Sequence, residues 1–408
     1  MKIIISHPTS NQFNRALVKG LYELNKLATF FTAIAVFSDQ LLYRLGGLKF
    51  FKDLKRRSFE KKLQKYTKTK PFFEMGRLLS SKLKWYALIQ HEKGIFCVDN
   101  IYHQQDLWVA KNLETAKKNE VEAVYAYEDG AIHTFTKAKE LGIVCLYDLP
   151  IGYWKSAREL LQNELEKNPE WADTITTFKD SPKKLAQKDR ELTMADHIFV
   201  ASSFTKKTLK RFEGTLPPIK VVPYGFPPVI NNKKYHPLEG RKLKVLFVGG
   251  LSQRKGISYL FDAVKGLKEQ VSLTVVGKKA IPNCIALNKA LEEHNYITSL
   301  PHQKVLECMQ SHDVLVFPSL FEGFGMVITE AMSQGVPVIT TDRTAGPDLI
   351  SHGKDGWLVA SASSEAIREV LIELLDNPFL LKIVGQAALE KAKTRPWSVY
   401  GNELARAL

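Results

Sequence analysis

Short apolar segments alternate with amphipathic helical ones twice along this chain, and a proline-rich stretch separates the two series. In the first series the apolar segments fall at 2–6, 28–36, 123–127, 143–147, 197–201 and 220–222. In the second they fall at 244–248, 272–276, 296–300, 314–317 and 337–341. Helical periodicity fills the gaps, at 131–141, 202–212, 256–267, 284–294, 302–310 and 326–334. Apolar strands alternating with helices predict a parallel sheet covered on both faces, joined by right-handed crossovers. Residues 223–242, PYGFPPVINNKKYHPLEGRK, carry four prolines and two glycines without a period, which is linker composition. The 408 residues exceed what one compact core accommodates comfortably. The expected fold is α/β, with a first domain over 1–222, a second over 243–393, and a helix at 394–408 that packs back on the first. Ligands of open parallel sheets bind at the carboxyl ends of the strands, here facing a cleft between the domains.

Charge is distributed unevenly. Residues 41–90 hold 14 Lys/Arg against Asp53, Glu60 and Glu74, whereas from Arg241 onward 19 basic residues meet 17 acidic ones. Most of the formal +15 is therefore local. No nucleic-acid recognition module accompanies the basic stretch, so nucleic acid is not the expected partner. Phe50, Phe51, Leu54, Phe59, Leu63 and Tyr66 interleave with its cations. The stretch is read as a largely helical insertion broken at Pro71. It either lies on an anionic membrane surface or packs its apolar face on the domain with its charges in water. The apolar run at 27–37 is too short to span a bilayer, and the opening residues read as a strand, not as a leader. Four cysteines without a C-x-x-C pair suit a reduced, cytoplasmic setting.

Two segments carry the candidate chemistry. In the first, a strand ending at Phe317 runs through Pro318-Ser319-Leu320-Phe321-Glu322-Gly323-Phe324-Gly325 into a helix starting at Met326 and Val327. Backbone N–H groups at a helix start suit an anionic diphosphate. Gly323 and Gly325 permit close approach, and Glu330, a turn into the helix, leans back toward its start. Glu322 in the loop can accept hydrogen bonds from a sugar. The plain alternative is a surface loop with two solvated glutamates. In the second segment a buried strand runs into Gly249 and Gly250, and Arg254 and Lys255 follow on the same rim. This cationic pair can neutralise phosphate oxygens, or it can be an exposed helix-start turn.

These segments, FVGGLSQRKGISYLFDAV and VFPSLFEGFGMVITEAMSQGVPVITT with GKDGWLV after them, closely resemble the family-4 retaining glycosyltransferases of the GT-B fold, the glycosyl transferases group 1. MADHIFVASSFTKKTLK and VVPYGF extend the resemblance into the first half, which otherwise matches loosely. The resemblance implies two Rossmann-like domains facing a central cleft and transfer of a sugar from a nucleoside diphosphate sugar to an acceptor hydroxyl. It assigns Arg254 and Lys255 to the donor diphosphate, Glu330 to the ribose, Glu322 to the transferred sugar, and the backbone of Gly323, Phe324, Gly325, Met326 and Val327 to the site wall. It implies no cofactor and no metal, since cationic side chains stabilise the leaving group. The expected acceptor is a glycan or a lipid-linked molecule, and the second of these suits the reading of 41–90 as a peripheral membrane contact. Leu300-Pro301-His302 lie where a base would be read. Many members carry a histidine where this chain has Asp148, which either orients the reacting sugars or caps a turn. Glu128, Asp129, Gly130 and His133 share its rim. The alternatives are a nucleotide-sugar epimerase and a non-catalytic protein that binds a sugar nucleotide or RNA.

Overall fold

A computed structural model describes residues 1–9, 11–37 and 57–408. Phe50, Phe51 and Leu54 of the basic stretch lie outside the described residues. In the first half the chain runs β1 (Lys2–Ser6), α1 (Gln12–Glu23), β2 (Leu27–Thr32), β3 (Thr67–Thr69), α2 (Phe72–Lys82), α3 (Val98–Lys118), β4 (Val121–Tyr127), α4 (Ile132–Glu140), β5 (Val144–Leu149), α5 (Trp154–Lys167), α6 (Pro182–Met194), β6 (His197–Val200), α7 (Ser203–Thr208) and β7 (Ile219–Val221). The second half runs β8 (Leu243–Val248), α8 (Ile257–Val264), β9 (Val271–Val276), α9 (Ile285–Glu292), β10 (Asn295–Ile297), α10 (His302–Gln310), β11 (Val314–Phe317), α11 (Met326–Ser333), β12 (Val338–Thr341), α12 (Gly346–Leu349), β13 (Trp357–Val359), α13 (Ser364–Asp376), α14 (Phe379–Thr394) and α15 (Trp397–Ala407).

Two all-parallel sheets result, ordered β3-β2-β1-β4-β5-β6-β7 and β10-β9-β8-β11-β12-β13. Each has helices on both faces, so its central strands are apolar throughout: Ile3–Ile5 and Val314–Phe317 are buried residue after residue. Polar caps fix several helix starts, with Asn11 accepting from Asn14 N, Ser202 from Thr205 N and Ser363 from Ala366 N. The two domains of the GT-B fold are thus in place.

Part of the basic stretch folds otherwise than its composition suggests. Thr67–Thr69 pairs with β2 as an edge strand, and Pro71 stands at the start of α2 instead of breaking a helix. Alternating threonines suit a strand, and proline is tolerated where a helix N–H has no partner. Arg57 turns inward, its guanidinium 2.5 Å from the buried carboxylate of Glu74.

Two of the places where the halves meet, besides the linker, are helical. The helix α15 packs along α1 of the first domain, where Lys26 Nζ donates to Ala405 O at 3.0 Å. In the other direction α5 and residues 169–175 lie on the second domain. Trp171 stacks over Phe261 with ring centroids 6.0 Å apart, and Leu161 and Ile175 pack with Leu320 and Phe321.

Candidate functional site

The loop after β8 and the loop after β11 are built as one unit. Gly256 has φ +66°, and a Cβ there would collide with the carbonyl of Pro318, so the two backbones touch at a point only glycine allows. Across that contact Leu320 N donates to Arg254 O at 2.9 Å and Ser319 Oγ to the same oxygen at 3.2 Å. The second loop ends at Gly325, φ +86°, which turns the chain into α11. The first N–H groups of that helix therefore open onto the space beside the cationic loop.

Arg254 and Lys255 converge on one carboxylate. Lys255 Nζ bonds Glu322 Oε2, Arg254 Nη1 stands 3.4 Å from the same oxygen, and Nη1 also donates to Phe321 O at 2.7 Å. Burial, with Arg254 beside it, draws the Lys255 ammonium well below its ordinary range, and burial lowers Arg254 as well. Two basic side chains therefore crowd one carboxylate beside the start of a helix, and an anion placed there would favour the charged form of both. An anion is what that arrangement lacks. Glu330 Oε1 lies 2.9 Å from His302 Nε2, so the expected base-reading residue and the expected ribose carboxylate stand side by side. Phe324 is buried against Tyr224, centroids 4.7 Å apart, and Met326 and Val327 open α11. Gly249 N bonds Val276 O at 3.0 Å, extending the sheet, and Gly250 faces open space.

The first domain contributes more than the rim foreseen for it. Ser202 Oγ and Thr205 Oγ1 donate to Gly323 O at 2.6 and 3.0 Å, and Ser203 donates to Asp348 from both its amide and its hydroxyl. Glu164 on α5, buried, accepts from Gln253 Nε2 at 2.6 Å and from Tyr259 OH at 3.0 Å. Thr174 Oγ1 accepts from Gln253 N at 2.8 Å. The residue preceding the cationic pair is therefore held from the other domain. Sequence reasoning missed Glu164, Thr174 and Gln253, because nothing local marks a contact 89 positions apart.

Asp148 is the penultimate residue of β5, near the strand end as expected, but its side chain turns into the domain and is only 4% exposed. Tyr125 OH donates to its Oδ2 at 2.5 Å, and burial pushes its pKa up to about 7. It neither caps the following turn nor stands open to a sugar, because β5 directs it toward the tyrosines of the domain junction. Glu128 and Asp129 meet Lys188, whose ammonium lies 3.4 and 3.6 Å from them, and His133 packs against His103 on the neighbouring helix. Among the described residues His91, Glu92 and Asp180 are grouped closely enough for a metal. Lys184 and Lys188 already stand 3.2 and 3.4 Å from Asp180 as its counter-ions, which disfavours a divalent ion there.

Comparison with known proteins bears on this geometry. Residues 229–391 match the family Glycosyl transferases group 1. The match spans nearly all of the second domain, including both loops of the site. Among curated relatives, the phosphatidyl-myo-inositol mannosyltransferase of Mycobacterium leprae is 32% identical over 40% of this chain and 45% of its own length. The MMP alpha-(1->4)-mannosyltransferase of Mycolicibacterium hassiacum is 28% identical over 53% of this chain and 52% of its own. The chain thus spans about half the length of these curated relatives. Solved structures align along all of it. HepE of Anabaena in complex with UDP gives a TM-score of 0.61 at 16% identity, covering 100% of this chain and 99% of that one. Sucrose-phosphate synthase of Thermosynechococcus elongatus gives 0.60 at 16%, covering 100% and 98%. At such identities the structures establish the fold, which is GT-B throughout.

Proposed function

We propose that the protein is a retaining glycosyltransferase of family 4 that moves a sugar from a nucleoside diphosphate sugar to an acceptor hydroxyl. The observation that carries this is the convergence of Arg254 and Lys255 on Glu322 at the start of α11, beside Glu330 and His302. The similarity of the group 1 domain to mannosyltransferases, and of the fold to a protein solved with UDP, supports it. The donor diphosphate takes over the two cations, which releases Glu322 to accept from hydroxyls of the transferred sugar. Glu330 accepts from the ribose, and backbone from Gly323 to Val327 lies along the phosphates. The bond from the anomeric carbon to the diphosphate breaks, and the acceptor oxygen bonds to that carbon. The acceptor's proton leaves with the diphosphate, whose growing charge Arg254 and Lys255 stabilise. No metal or other cofactor takes part in this scheme.

The acceptor is a glycan or a lipid-linked molecule, met in the cytoplasm at a membrane that residues 41–90 contact peripherally. No helix among the described residues is long and apolar enough to cross a membrane. Thermal-shift titration with UDP, GDP and ADP tests the donor side, because a ligand bound only by the folded protein raises its melting temperature. Absence of any shift would count against the reading. Turnover of the matching sugar nucleotide only when acceptor is added separates transfer from epimerisation.

A further inference from the structure

The helix α2 carries its apolar side chains outward. Phe72, Met75 and Leu79, spaced i, i+3 and i+7, form one stripe on it, and Trp85 and Tyr86 continue that stripe beyond its end. The Phe96 ring packs against Phe72, centroids 5.8 Å apart, which sets Ile95 and Val98 beside the stripe. These side chains are 37–64% exposed. Among the described residues, eight of the fifteen exposed large apolar side chains fall between Phe72 and Val98, so this is a patch and not scatter.

Its charge is one-sided. The exposed Lys70, Lys84 and Lys93 border it. Residues 61–98 hold two acids: Glu74, whose carboxylate is buried beneath α2 between Arg57 and Arg77, and the half-buried Glu92, which accepts from Ser181 N and pairs with His91. The face therefore offers apolar and aromatic side chains ringed by ammonium groups, with no exposed carboxylate from that stretch. A protein partner of ordinary surface would leave those ammonium groups without a matching array of anions. A bilayer with anionic headgroups supplies apolar depth, an aromatic-tolerant interface and a sheet of negative charge together.

One edge of the face is shared with a pocket of about 460 Å³, which Ile95 lines together with Asp99, His103, Asp129 and Lys184. Asp129 lies two residues beyond β4, so this pocket opens at the carboxyl end of a strand of the first sheet, where ligands of parallel sheets bind. Asp99 and Asp129 are bridged there by Lys184, and such a mixed set of donors and acceptors suits a polyhydroxylated group.

We infer that the face formed by α2 and residues 83–98 docks on an anionic lipid bilayer and brings this pocket to an acceptor carried at the bilayer surface. The acceptor half of the inference rests on the transferase reading, whereas docking itself needs no donor. Docking is thereby assigned to residues 72–98 and not to Arg57, which is engaged with Glu74.

Co-sedimentation with phosphatidylcholine vesicles, with and without phosphatidylserine, tests the docking at low and high salt. The wild-type chain is expected to bind the anionic vesicles at least ten-fold more than the neutral ones, and high salt is expected to release it. The variant Phe72→Ser/Leu79→Ser/Trp85→Ser is expected to lose about ten-fold in binding, and so is Lys70→Glu/Lys84→Glu/Lys93→Glu. Both sets are exposed, and a thermal melt on each variant confirms that it is folded. Two results would overturn the inference: indifference of the wild-type chain to anionic vesicles, or unchanged binding in the charge-reversal variant. Self-association without vesicles that the apolar variant abolishes would instead assign the face to a second copy. Failure to transfer sugar, with vesicle binding intact, would fall on the transferase reading alone.

Discussion

In the proposed reaction Lys255 and Arg254 act on charge that exists only when a diphosphate is present or leaving, so truncating either should cost catalysis far more than folding. Arg254→Ala or Lys255→Ala is expected to lower kcat/KM by an amount equivalent to about 2–4 kcal/mol, the usual size for one electrostatic stabiliser. A melting temperature near wild type should accompany that loss, and steady-state kinetics beside a thermal melt checks both. The two glutamates should separate. Glu330→Gln is expected to weaken nucleoside diphosphate binding in calorimetry, whereas Glu322→Gln leaves that affinity nearly unchanged and slows transfer. Asp148 gives a different signal. A carboxyl whose folded pKa is raised holds its proton more tightly when folded than when unfolded. Its contribution therefore favours the native state at acid pH and is lost as pH rises from the ordinary carboxylate range through about 7. Asp148→Asn keeps an acceptor for Tyr125 and removes that titration. It is expected to be more stable than wild type at pH 8, by on the order of a few kcal/mol, and close to wild type at pH 4. Denaturation series across that range measure it.

At the scale of elements, the strap formed by α5 and residues 169–175 decides how well the cationic loop is held. Glu164→Ala would leave the buried Gln253 Nε2 with Ser258 Oγ as its remaining acceptor, at a cost of about 1–3 kcal/mol, and would release the half-buried Tyr259 hydroxyl. The expected outcome is weaker nucleoside diphosphate binding together with faster amide exchange at 252–258, and Glu164→Gln should recover most of both. This element also marks where sequence reading ends. The central strands were legible because residues such as Val314–Phe317 are buried on both faces and must be apolar in a row. Arg254 with Lys255, and Glu322 with Glu330, were legible because each pair lies close in sequence on one strand-loop-helix unit. The edge strands Thr67–Thr69 and Trp357–Val359 were not, since three residues carry too little pattern. Glu164 reads as one more helical glutamate until the fold brings Gln253 to it. Asp148 has the right position and the wrong direction, which strand register decides and composition does not show.

For the whole molecule, the crossing helix α15 binds the two domains more firmly than the linker does. It supplies a wall to α1, and Tyr400 buries its ring against Tyr224 near the cleft floor. Deleting residues 397–408 is expected to destabilise the first domain more than the second, which exchange measurements on β1 and β8 would resolve. During synthesis the same crossing has a further meaning. Domains generally fold as units in the order in which they leave the ribosome. Here α1 emerges before any of the second domain, yet its covering helix follows only after that entire domain has been translated. The nascent first domain must wait with that flank bare, open to chaperones or to neighbouring chains on the same polysome. The domain made first is the one completed last.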